Sequence, residues 1–166
     1  MISNAFITRM PAGIAGDVTR REHADIEPQV MDTDYPVLRY GEPVKMVDGK
    51  IRPITTDDDI DDIYGFGCRA YPIQTSSNEA LGSATPPTNL HFDVMRRGYM
   101  TVKVQNGTPS KNASVFVRTV AADDPTAQPI GGLECASDGG DCFEITNAKF
   151  MGEADSDGNV EISYNL

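Results

Sequence analysis

A chain of 166 residues fits one domain with room for a core, and its hydrophobic content of 39% without tryptophan is lean enough to suggest a fold that gains stability from a partner. Acidic residues outnumber Lys and Arg 25 to 14, a net charge of −11 that argues against general nucleic-acid affinity, because counterion release needs clustered cations. No apolar run approaches the roughly 20 residues of a membrane span, and "MISNAFITRMPAG" lacks the apolar stretch of a secretory signal, so no membrane partner and synthesis in a cytosol are expected.

Residues 1–30 read as an extended arm, since Pro11, Gly13, Gly16 and Pro28 interrupt every helical or strand period. Residues 31–166 read as a single β-rich domain. In "EPVKMVDGKIRPI" the pair Asp48-Gly49 is a two-residue hairpin turn that sets Met46 opposite Ile51, with Val44 on the same face. The acidic run "TTDDDIDDI" then leads into a strand at about 62–71, and its five Asp within 57–62 read as a solvated loop rather than a cation site. Residues 75–90 are rich in Ser, Thr and Pro; a loop of this length inside a domain tends to be functional, which makes it a candidate contact loop.

Strand signals dominate the second half. "GYMTVKV" alternates, with Met100, Val102 and Val104 on one face and Tyr99, Thr101 and Lys103 on the other. "ASVFVRTVA" is apolar on both faces, as a strand inside a barrel or sandwich is, and "PIGGLECASDGGDCFEITNAKFMGEA" holds two or three more strands between Gly-rich turns. No stretch supports a long amphipathic helix. The expected fold is all-β, a small β-barrel or a jelly-roll-like β-sandwich with the N-terminal arm and the short hairpin attached.

The final segment raises the question of calcium. With Gly158 at the bend of an EF-hand loop, Glu153, Asp155 and Asp157 take the first ligand positions, but the closing chelating position falls on Tyr164. Alternation of Val160, Ile162 and Tyr164 instead predicts a terminal strand entered through an Asp-Gly turn, and no metal site is assigned. Cys68, Cys135 and Cys142 form no CxxC pair. Cys135 and Cys142 can face each other across a hairpin around "ASDGGD", but in a reducing compartment free thiols are expected. His23 and His91 lie at no metal-ligand spacing, and nucleophile-elbow, phosphate-loop and dinucleotide motifs are missing, so no catalytic residue and no cofactor is assigned. Gly65-Phe66-Gly67 reads as close strand packing. Arg96-Arg97 beside Gly98 can clamp an anion, or one Arg can hold an internal partner while the other faces solvent.

Four segments taken together, "MPAGIAGDVTRRE", "IYGFGCRAYP", "TPPTNLHFDVMRRGYMTVKV" and "AKFMGEADSDGNVEISYNL", resemble in order and spacing the structural cement proteins that decorate the heads of tailed phages. The resemblance spans nearly the whole chain; the cysteines around "ASDGGD" depart from it. It implies a non-enzymatic protein on the outer surface of a phage capsid, made in the host bacterial cytoplasm, bound to the major capsid protein at capsomer junctions, and stabilising the mature head. A homodimer is favoured, with a trimer as the other arrangement. The contact candidates are Ile2, Phe6, Ile7, Met10 and Ile14 of the arm, with Arg20, Arg96, Arg97 and Tyr99. Two readings from other classes stand beside it: a ligand-binding β-module, such as a calcium-dependent carbohydrate reader using the Asp-rich loops, and a small β-barrel enzyme.

Overall fold

The computed structural model describes residues 13–69, 85–88 and 91–165. Among these, nine strands are built around one long strand, β5 (His91–Asn106). Before it come β1 (Asp25–Val30), β2 (Pro43–Val47), β3 (Lys50–Pro53) and β4 (Ile63–Gly67); after it come β6 (Ser114–Arg118), β7 (Leu133–Glu134), β8 (Cys142–Phe150) and β9 (Asn159–Tyr164). The C-terminal half of β5 pairs with β7 and with β9, and the order β5-β7-β6-β8-β9 closes on itself. Of the two expected arrangements the chain thus forms the closed barrel, with an outer sheet of β3-β2-β4 and β1 laid against the N-terminal half of β5.

The hairpin of β2 and β3 has the expected register, Met46 opposite Ile51. Asp48 and Gly49 have φ of 50° and 77°, the left-handed pair that a tight hairpin turn requires. The strand expected at 62–71 is shorter, Ile63–Gly67, and is entered through a 3-10 turn, Ile60–Asp62. Of the two or three strands expected in "PIGG…GEA" two form, β7 and β8, and the terminal alternation becomes β9 with Val160, Ile162 and Tyr164 buried.

β5 divides two cores. Met95, Met100, Val102 and Val104 enter the barrel core with Phe66, Val115, Val117, Ile145, Phe150 and Ile162, whereas Val94 and Phe92 enter the core of the outer sheet with Met31, Val37, Tyr40, Val44 and Ile51. Strict alternation would put Met95 and Met100 on opposite faces. They share one core because the β1 register skips a residue of β5: Asp25 is opposite Arg97 and Ile26 is opposite Met95, so Arg96 is a bulged residue. Gly98 follows with φ of 141°, and a Cβ there would lie 3.0 Å from Ala24. The "RRGY" stretch is thus the bulge at which one strand passes from outer sheet to barrel.

The two glycines of "YGFG" are required by packing. A Cβ on Gly65 would meet the Met95 carbonyl oxygen at 2.6 Å, and one on Gly67 would meet the Phe92 ring at 2.5 Å. Gly65→Ala therefore forces backbone apart, and a loss of about 1–3 kcal/mol in urea unfolding is expected.

The segment read as an arm is divided. Gly16 N donates to Thr101 O at 2.8 Å, Thr101 N to Asp17 O at 2.9 Å, and Thr19 N to Tyr99 O at 3.0 Å, which fastens this stretch along β5. Arg69 N donates to Gly16 O, and β1 is a strand of the outer sheet. Gly13 and Gly16 do interrupt periodicity, but the hydrogen bonds of Gly16, Asp17 and Thr19 along β5 hold this stretch in the domain. Residues 1–12, and all of the polar loop 75–90 except 85–88, lie outside the described residues.

Candidate interaction surface

Among the contact candidates read from the sequence, Arg20 and Tyr99 come together. The Arg20 guanidinium lies 3.9 Å from the centroid of the Tyr99 ring and forms an ion pair of 2.7 Å with Glu161 on β9. Thr19 Oγ1 donates to the same carboxylate at 2.5 Å. Burial alone would raise the Glu161 pKa, but the donors from Arg20 and Thr19 outweigh it and hold the carboxyl below its ordinary range. Ile14 is half-buried one turn earlier in the same stretch. The group ties the N-terminal segment to the barrel at the place where the chain enters the described fold.

Arg96 stands apart from that group. As the bulged residue it stacks over the Tyr64 ring at 3.7 Å and donates to the Tyr64 carbonyl, while the Tyr64 hydroxyl donates to Glu27 on β1 at 2.5 Å. Arg97 is exposed and makes no ion pair among the described residues. The pair therefore divides into one Arg held internally, with Tyr64 rather than an acid as its partner, and one facing solvent. Ile2, Phe6, Ile7 and Met10 lie outside the described residues.

A model of the XM1 gp53 minor capsid protein family matches residues 4–164. The chain belongs to the XM1 gp53 minor capsid protein family. A chain in the solved structure titled "The capsid of Myoviridae Phage XM1" has a similar fold, with a TM-score of 0.69 at 17% identity, over 99% of this chain and 97% of that one. No curated protein matches the sequence.

Membership of a minor capsid family makes this a virion protein with a structural role in the capsid. The acidic stretches have local duties within that framework. Asp58 takes the Lys45 ammonium at 2.7 Å and the Thr55 N–H at 2.6 Å; Asp59 and Asp62 form a reciprocal capping box on the 3-10 turn. Asp155 Oδ1 accepts from Asp157 N at 2.9 Å and Asn159 N at 2.8 Å, which folds the turn into β9. Asp155 thus does more in that turn than Asp157, whose side chain is exposed. The thiols are free: Cys135 packs on Gly107, and Cys142 Sγ points to Glu134 at 3.6 Å. Burial pushes the Cys135 and Cys142 thiols up to about 11.

Two features of this minor capsid protein were not read from the sequence. Arg118, at the end of β6, is 1% exposed and is held by Glu134 of β7, also 1% exposed, at 2.5 Å, and by Asp138 at 2.6 Å. This ion pair pins the "ASDGGD" hairpin to the barrel. Its signal was a charge inside each of two apolar runs, "VFVRTV" and "GGLEC", which only a pair can explain in a buried strand. The second feature is Glu42. Its Oε1 lies 2.6 Å from Arg39 Nε, yet neither atom has a well-directed hydrogen bond, and Arg39 Nη2 reaches the Ile130 carbonyl at 3.3 Å. Burial pushes the Glu42 carboxyl up to about 7 from 4.5, with Arg39 opposing the shift.

Glu42 makes stability depend on pH with a definite sign. Below about pH 4.5 it is protonated in both folded and unfolded chains and contributes nothing; between about 4.5 and 7 only the folded state keeps the proton, so stability falls as pH rises. Glu42→Gln removes that slope. Unfolding of wild type and variant across pH 4–8 should differ progressively, with the variant gaining up to about 3 kcal/mol relative to wild type above pH 7.

Proposed function

We propose that this protein is a cement or decoration protein, bound to the major capsid protein at capsomer junctions on the outside of the head and stabilising the mature shell without catalysing a reaction. The observation that carries the reading is the match to a minor capsid family over residues 4–164. The chemistry is consistent with it: an acidic protein of net charge −11 suits the outer surface of a shell better than the DNA-filled interior. Repeated binding across neighbouring subunits would multiply modest contacts by avidity. A homodimer on two-fold sites is the favoured assembly, with a trimer on three-fold sites as the other.

In this reading residues 1–12, with Ile2, Phe6, Ile7 and Met10, are the strap that lays apolar side chains on the shell, and the Arg20–Tyr99–Glu161 group holds its root. Hydrogen exchange should find Gly16, Thr19 and β1 protected in the free protein, and residues 1–12 protected only on heads. Equal, strong protection of residues 1–12 in both states would count against the strap. The function itself is tested by adding purified protein to heads that lack it. Saturable binding at a fixed ratio to coat subunits, with a raised rupture temperature, is expected; heads that neither bind it nor change in stability would refute the proposal.

A further inference from the structure

The most exposed large apolar side chains among the described residues lie outside the strap and outside the Arg20 group. Leu38 is 64% exposed and Tyr35 55% exposed, both in the loop between β1 and β2, with Val30 at the end of β1 and Val120 after β6 also open to solvent. The loop that presents them is rigidly held. Arg52 stacks on Tyr35 at 4.5 Å while its Nε donates to Asp32 at 2.7 Å, and Asp32 N donates to Ile51 O at 3.0 Å. Val37 and Tyr40, on either side of Leu38, are buried in the outer core, and Arg39 ties the loop to Ile130 of the segment that follows Val120. Apolar groups fixed in this way lose little freedom on binding.

The charges around them are mostly of one sign. The loop's cations Arg39 and Arg52 are paired with Glu42 and Asp32, and Lys50, exposed at the start of β3 and acting on Asp32, makes no ion pair among the described residues. Asp34, Asp123 and Asp124 are exposed and make no ion pair among the described residues, and Asp138 on the neighbouring hairpin is 58% exposed. A second copy of the same face would bring these acids against one another. A cation-rimmed apolar surface complements them.

We propose that Tyr35 and Leu38, flanked by Val30 and Val120, dock into an apolar pocket rimmed by Lys or Arg on the coat subunit of the shell. This rests on the cement reading and adds a second, rigid anchor to the strap. It predicts that the loop contributes affinity even when the strap is removed.

The test titrates wild type, Leu38→Ser, Tyr35→Ser with Leu38→Ser, and Asp34→Lys with Asp123→Lys onto heads lacking the protein, with thermal unfolding and sedimentation of each free protein alongside. The apolar variants should bind about tenfold or more weakly with unchanged melting, because both side chains are exposed in the free protein. The charge-reversed variant should bind about threefold or more weakly and lose most of its salt dependence. If wild type binds and all three variants bind equally well, the docking face is refuted while the cement reading stands. Wild-type self-association abolished by Leu38→Ser, with head binding unchanged, would assign the face to a second copy instead and also refute the proposal. Failure of wild type itself to bind heads would remove both readings together.

Discussion

Replacing Arg118 by Met should cost about 3–5 kcal/mol of unfolding free energy, among the largest losses of any single substitution in this chain. The guanidinium is 1% exposed and satisfies Glu134, which is equally buried, so its removal leaves a buried carboxylate with only weak partners: Cys142 Sγ at 3.6 Å and Asn106 Nδ2 at 3.5 Å. It also releases Asp138 and with it the "ASDGGD" hairpin. Arg118→Met combined with Glu134→Leu should recover much of the loss, because the buried pair is replaced by apolar volume rather than broken. Urea unfolding of the two variants decides the matter. A double variant as unstable as the single one would mean that the hairpin contact, not the uncompensated charge, carries the energy.

Ile162→Ala should cost about 2–5 kcal/mol, whereas Asp157→Ala should change stability by about 1 kcal/mol or less. Ile162 is fully buried, paired with Met100 of β5 on one side and Phe150 of β8 on the other, so its truncation opens a cavity at the seam that closes the barrel. Asp157 is exposed, and the turn's hydrogen bonds are accepted by Asp155 instead. Denaturation of both variants with and without millimolar calcium tests the turn assignment as well. A larger loss for Asp157→Ala, dependent on calcium, would restore the metal reading of this segment.

In β5 only the C-terminal half follows the pleat that the sequence pattern predicts. Alternation located Met100, Val102 and Val104 on one face because each position follows the pleat locally. It did not extend through Arg96, since a bulge adds one residue and exchanges the faces upstream, and nothing in a period-two pattern marks where that happens except Gly98. The hairpin at Asp48-Gly49 was legible because its turn type demands particular residues. The closure of the barrel was not legible: β7 is two residues long, and its parallel pairing with β5 depends on contacts distant in sequence.

Arg20, Arg96, Arg97 and Tyr99 entered as contact candidates with the resemblance, and the sequence did not separate Arg20 on Tyr99 from Arg96 on Tyr64. Broken periodicity in residues 13–30 looked like an arm because hydrogen bonds to Thr101 and Tyr99 leave no pattern in the chain that makes them. Tyr35 and Leu38 went unread for a related reason. In "DTDYPVLRYGEP" the buried Val37 and Tyr40 and the exposed Tyr35 and Leu38 are equally apolar, and only the packing of the outer sheet distinguishes them.

The central claim is that the protein binds the outside of a completed shell, and electron microscopy of heads prepared with and without it tests this most directly. Difference density the size of one barrel with its outer sheet, located on the outer face at capsomer junctions, is the predicted result, with shells of normal size in both preparations. Difference density on the inner face, or failure of shells to assemble in its absence, would contradict the account.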